Sequence, residues 1–167
     1  MASWIPVLTA IHVLGAITFV VAHGVSMAVS FSLKGLGDSD GLRRQLGLSA
    51  RALSVAYWAL LVVLASGFID GIAGSWFSGG AGWIWGSLIV LFAVAALMYP
   101  LATAPLARIR WALGAPILAR ARKEVPTEPP VPADLARTLA AWKPIRPAIV
   151  GLIGLALILW MMLTKPF

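Results

Sequence analysis

The first 33 residues of the chain carry no formal charge, although both histidines of the protein, His12 and His23, lie among them. The apolar stretch over residues 5–33 is long enough for a helix that crosses a bilayer. It has no basic segment before it, which favours a retained span over a removed signal peptide. An ionisable side chain inside a span is a functional hypothesis by default.

The two histidines share one face of this predicted helix. Their spacing of eleven residues turns an α-helix by ~1100°, about 20° past three full turns, and raises it by ~16 Å. The face also carries small, polar and sulfur-containing residues, which suit packing against other helices rather than lipid. Its members are His12, Gly15, Ala16, Phe19, His23, Ser26, Met27 and Ser30.

Composition predicts a membrane domain, because 60% of the residues are hydrophobic and only 11% are charged. Apolar stretches at about residues 5–33, 52–72, 83–104 and 148–163 predict an all-α bundle of four spans in a single domain. Residues 106–123 mix basic and apolar side chains and predict an amphipathic helical segment on the inner leaflet, between spans three and four.

The positive charge is concentrated in two predicted loops, residues 34–51 and 105–147. Twelve of the thirteen Lys and Arg residues lie between Lys34 and Arg146, which is the positive-inside pattern. We therefore expect a multi-pass protein of a prokaryotic cytoplasmic membrane with both termini outside. Anionic inner-leaflet lipids are the expected partners of these loops, and nucleic acid is not.

Shorter signals refine the loops. Asp38 and Asp40 before Arg43 and Arg44 predict a capped helix that leads into span two. Pro100 predicts a kink or an early end of span three. Residues 124–132 hold four prolines and predict a stiff linker, and a short helix is expected over residues 133–142.

The histidines allow two interpretations. A neutral imidazole hydrogen-bonded to a neighbouring helix is the simpler one, and ligation of haem or a metal is the other. The chain has no cysteine, so a metal would need His, Met, carboxylate, Tyr or backbone ligands. No catalytic motif is present, and an enzymatic activity is not favoured.

Haem ligation at two levels of one helix would use His12 and His23 as axial ligands, with Gly15 and Ala16 leaving room for the macrocycle. No other span contains a histidine, so bis-histidine haem b would need a homodimer or a partner membrane subunit. Methionine is the alternative second ligand. Met161 and Met162 are expected at the level of His12, and Met98 and Met27 near His23. Histidine with thioether sulfur also suits copper.

Asp70 is the acidic residue embedded in an apolar stretch, near the outer end of span two. A carboxylate at this depth needs a partner, and His12 is the ionisable group expected in the same half of the bundle. We predict a contact between Asp70 and His12, either as a bond that orients the imidazole of a metal ligand or as part of a proton relay. The alternative is a wet Asp70 that caps the turn into the outer loop.

The chain resembles a family of small integral membrane proteins of unknown function, similar to the transmembrane copper-resistance D domain. The resemblance lies in Ile11-His12-Val13-Leu14-Gly15-Ala16, an Arg-containing loop before span two, Ser66-Gly67, and Gly82-Trp83. It implies a four-helix bundle with a functional His12 and handling of copper or haem. The leading interpretation is haem b or copper binding through His12 and His23, in electron transfer or metal passage. The alternative is a non-catalytic scaffold or accessory subunit without a cofactor.

Overall fold

A computed structural model of the chain describes residues 4–36, 38–78, 81–114 and 132–166. These residues form helices and contain no strand, which confirms the predicted all-α class. In chain order the helices are α1 (Ile5–Ser32), α2 (Ser39–Ala73), α3 (Gly82–Met98), α4 (Ala104–Ala112), α5 (Pro132–Ala141) and α6 (Ile145–Thr164).

Four helical stretches within the described residues are long and apolar enough to cross a membrane. They overlap the four predicted spans, so the helices have the length and composition of a multi-pass membrane protein. The stretches are Ile5–Gly35, Ser39–Ala73, Gly82–Ala112 and Ile145–Thr164.

Helix α1 begins and ends close to the bounds predicted for span one. Pro6 lies in its first turn, where the missing N–H has no intrahelical partner to lose. The helix ends at Ser32, and a 3₁₀ turn, Leu33–Gly35, follows it. The apolar stretch from Ile5 to Ser32 is therefore one uninterrupted helix.

Helix α2 begins well before the predicted second span. Asp38 has an extended backbone, and its side chain accepts a hydrogen bond from the backbone N–H of Gly41. This cap satisfies one of the unpaired donors at the helix start. From there the helix continues to Ala73 without a break, so the predicted capped helix and span two are one element.

Pro100 widens the third membrane helix without ending it. One π-helical turn, Tyr99–Thr103, separates α3 from α4, and the backbone N–H of Ala104 donates to the carbonyl of Tyr99. Proline has no N–H, and its ring crowds the preceding turn, which explains the wider turn. Helix α4 follows directly and includes residues 106–112 of the predicted amphipathic segment. Residues 115–123 of that segment and residues 124–131 of the predicted linker lie outside the described residues.

The membrane helices pack as two antiparallel pairs, α1 with α2 and α3 with α6. Glycines make these contacts close. A Cβ on Gly15 of α1 would lie 3.0 Å from Cγ2 of Val63 on α2, and a Cβ on Gly154 of α6 would overlap Cγ2 of Val94 on α3. Small residues that let helix backbones approach are the usual contact surface between membrane helices.

Most of the buried apolar side chains lie at one end of the bundle. We call it the basic end, because the basic loops lie there, and we call the end with the start of α1 and the end of α6 the terminal end. The indole N–H of Trp142 donates to the carbonyl of Ser30 at 3.0 Å within this core. The core draws on α2, on α1 and α4 with the residues directly after them, and on the segment after α5. It consists of Val29, Leu33, Leu42, Leu46, Leu106, Ile109, Leu113 and Trp142.

We predict that Gly154→Ala destabilises the fold, because the added methyl overlaps Val94 across the α3–α6 contact. Overpacking of this kind reduces the free energy of unfolding by about 1–3 kcal/mol. The matched control is Gly24→Ala, since a Cβ on Gly24 meets no atom within 4 Å. Thermal unfolding in detergent, followed by circular dichroism, compares the two variants. Equal melting temperatures for both would contradict the predicted contact.

Candidate functional site

His12 of α1 is hydrogen-bonded to the neighbouring helix, α2. Its Nδ1 lies 3.0 Å from the carbonyl oxygen of Val63 and 3.3 Å from Oγ of Ser66. A carbonyl only accepts, so Nδ1 must carry the proton in this bond. In the neutral imidazole the lone pair is then on Nε2, which is the arrangement common among metal-binding histidines. Nε2 has no hydrogen-bond partner among the described residues.

Gly67 makes room for the His12 ring. A Cβ on Gly67 would lie 2.8 Å from Cε1 and 3.0 Å from Nδ1 of His12. The Oγ of Ser66 donates to the carbonyl of Val62 at 2.6 Å, which fixes this hydroxyl beside the ring. The Ser66-Gly67 pair therefore shapes the contact surface for His12 on α2.

The predicted hydrogen-bonded contact between Asp70 and His12 is wrong. Oδ2 of Asp70 lies 2.8 Å from Oγ1 of Thr9, so the partner on α1 is one turn nearer the helix start than His12. His12 instead lies at the level of Val63 and Ser66. Asp70 is only 4% exposed, which also excludes the wet interfacial position in this conformation.

Gly15 does not provide the space that a haem macrocycle would need. The position of its missing side chain is lined by Cγ2 of Val63 at 3.0 Å and Cγ1 of Val62 at 3.4 Å. Helix α2 therefore fills the gap beside His12. The prediction that Gly15 leaves room for a flat ligand is wrong, because the small residue serves the helix contact.

His23 has a different environment from His12. Its ring stacks on Phe19, one turn earlier in α1, with ring centroids 5.7 Å apart and an angle of 13° between the planes. The side chain is half-buried, and neither ring nitrogen has a hydrogen-bond partner among residues 4–36, 38–78, 81–114 and 132–166. Stacking on Phe19 thus leaves both ring nitrogens available to contact a ligand.

Two methionines converge with His23 on Gly151 of α6. A Cβ on Gly151 would lie 3.7 Å from Nε2 of His23, 3.8 Å from Cε of Met27 and 3.1 Å from Cε of Met98. Each Cε is bonded to the thioether sulfur of its residue. We call His23, Met27 and Met98 the His-Met cluster. The cluster brings side chains of α1 and α3 together beside α6, where Gly151 has no side chain.

Met161 and Met162 do not belong to the His-Met cluster. Met161 follows Gly151 by ten residues on α6, which corresponds to about 15 Å of helix rise. Met161 is buried and Met162 is half-buried, both near the terminal end. Their predicted pairing with His12 stays a prediction.

Among the described residues no group of three or more His, Asp or Glu side chains is placed to hold a metal. The one imidazole of His23 lies instead near two methionines. The His-Met cluster supplies that combination, which suits soft ions such as Cu(I) rather than Mg²⁺ or Ca²⁺.

Arg110 is buried, although the charge pattern groups it with the loop residues that determine topology. It is 6% exposed, and its Nη2 donates to the carbonyl of Leu46 on α2 at 3.3 Å. Its neighbours Ile109 and Leu113 are buried as well. The charge pattern alone could not separate this buried arginine from the exposed Arg108.

Comparisons with protein-family models, with curated proteins and with solved structures find no match to this chain. The geometry of the two histidines is therefore the starting point for its function.

We predict that the neutral His12 carries its proton on Nδ1, because Val63 offers only an acceptor at 3.0 Å. Nitrogen NMR of protein labelled at the histidine rings distinguishes the two tautomers. His12→Gln assigns the signals, and His23→Gln is the matched control, since His23 makes no such bond among the described residues. A neutral His12 with its proton on Nε2 would contradict the hydrogen bond to Val63.

Proposed function

We propose that this chain is an integral membrane protein that binds copper(I) through His23, Met27 and Met98. The observation that carries the proposal is the convergence of one imidazole nitrogen and two thioether methyls within 4 Å of one point beside Gly151. The donor set fits the metal, because neutral imidazole and thioether ligands favour Cu(I) over hard cations. Bound copper would supply either a one-electron couple or a metal ion in passage.

Each element has a separate part in preparing the His-Met cluster. Phe19 stacks on the imidazole and restricts its rotation. Met27 follows His23 by four residues, so both side chains lie on one face of α1. Met98 is the last residue of α3, directly before the π-helical turn. Such turns occur frequently at functional sites.

The orientation of the bundle belongs to the same proposal. Positive loops remain on the cytoplasmic side of membranes, so the basic end would face the cytoplasm and both termini would lie outside. Lys34, Arg43 and Arg44 are exposed at this end and would contact anionic lipid headgroups. The His-Met cluster would then lie between the two membrane faces, within the apolar helices.

We predict that Cu(I) binds to the purified protein with one ion per chain. Anaerobic titration in detergent against a chromogenic Cu(I) chelator measures the affinity. His23→Ala and Met98→Leu should each weaken binding at least about tenfold, which corresponds to about 1.4 kcal/mol. Met161→Leu is the matched control, because it removes a thioether outside the cluster, and should leave the affinity unchanged.

The same preparation separates the alternatives. A Soret band with reducible α and β bands would favour haem b, and its loss in His12→Ala would point to His12 as an axial ligand. A colourless protein that takes up no Cu(I) would favour the scaffold or accessory subunit. Weakened Cu(I) binding in His12→Ala but not in His23→Ala would place the metal elsewhere. Each of these outcomes overturns the proposed site.

A further inference from the structure

Asp70 is the acidic side chain that α2 buries within its apolar part. It is 4% exposed, and its Oδ1 atom is buried without a hydrogen-bond partner among the described residues. Its Oδ2 atom lies 2.8 Å from the hydroxyl of Thr9 on α1. One carboxyl oxygen is therefore bonded across the α1–α2 contact, and the other is bonded to nothing that the structure describes.

The cationic side chains that the structure describes at the terminal end do not pair with Asp70. His12 on α1 is directed to Val63 and Ser66. Lys165, just after α6, lies over the rings of Trp76 and Trp83, at 5.0 and 5.4 Å from their centroids. Within the described parts of the chain, no Lys, Arg or His lies within ion-pair distance of Asp70.

Thr9 of α1 brings its hydroxyl close to two oxygen atoms. The Thr9 hydroxyl lies 2.8 Å from Oδ2 of Asp70 and 3.2 Å from the carbonyl oxygen of Ile5. A hydroxyl has one hydrogen to donate, and both of these oxygens are acceptors if Asp70 is ionised. Two full hydrogen bonds form together only if Asp70 is protonated and donates from Oδ2 to Thr9, which then donates to Ile5.

The burial of Asp70 also supports a protonated carboxyl group. An ionised carboxylate oxygen without a hydrogen bond or a cation is strongly unfavourable in an apolar environment. A neutral carboxylic acid has no charge to compensate, and its carbonyl oxygen tolerates the loss of a bond far better. The unpaired Oδ1 is thus explained by an Asp70 that carries a proton.

We propose that Asp70 and Thr9 form a proton-binding site at the terminal end of the α1–α2 contact, with Asp70 neutral in this conformation. Proton release would leave a negative charge between the two helices, and α1 and α2 would then have to part or admit a cation. The site thus makes the contact of these helices depend on one proton. This proposal is independent of copper binding, since the His-Met cluster involves other residues.

Infrared spectroscopy of the whole chain in lipid vesicles at neutral pH tests the site. Protein labelled with ¹³C at the aspartate carboxyl groups should show the carbonyl stretch of a protonated carboxylic acid, shifted by the isotope and therefore not due to glutamate. Asp70→Asn should abolish this band, because the side chain then has no carboxyl group. The amide is similar to the acid in size and can still form a hydrogen bond. Thr9→Val should shift the band, because the acid loses its acceptor.

The matched control is Asp134→Asn, which removes an exposed aspartate and should leave the band unchanged. Circular dichroism confirms that each variant retains its helices. A wild-type spectrum without a protonated aspartic acid would overturn the proposal. So would a band that persists in Asp70→Asn, or a band that is identical in wild type and Thr9→Val.

Discussion

The close contact between α1 and α2 is the interaction on which both polar regions of the bundle depend. The hydrophobic effect does not drive helices together in lipid, so packing of small residues and hydrogen bonds between helices must hold them together. Here Gly15 admits Val63, and the hydroxyls of Ser26 and Ser49 lie 2.8 Å apart in the buried contact. These contacts fix the rotation of α1 about its axis, and with it the direction of both imidazoles.

The two helix pairs meet differently at the two levels of the histidines. The hydrogen bonds of His12 among the described residues join α1 to α2. The environment of His23 also takes Met98 from α3 and Gly151 from α6, so it lies where the pairs come together. A ligand at His23 would therefore connect the pairs, whereas a ligand at His12 would affect one pair. A ligand bound at the His-Met cluster could therefore change how the two helix pairs pack against each other.

The fold is predictable because its signals are local, whereas the partners of the site residues are not. The absence of charge before Lys34 predicts a membrane helix, and Asp38 indicates where α2 begins. Partner choice depends on helix register, and depth counted along a helix is uncertain by about one turn, or 5.4 Å. A hydrogen bond requires far greater accuracy. This is why the sequence suggests His12 as the partner of Asp70, although Thr9 is its partner.

The two histidines differ in the hydrogen bonding that a purely structural role would require. A histidine that only joins helices should be hydrogen-bonded to its neighbour, since an unpaired buried polar group costs about 1–3 kcal/mol. His12 meets that expectation through Val63. His23 does not within the described residues, although it is half-buried among apolar helices, and a leucine there would avoid the penalty. The proposed metal ion would give the His23 ring a partner that the described residues do not supply.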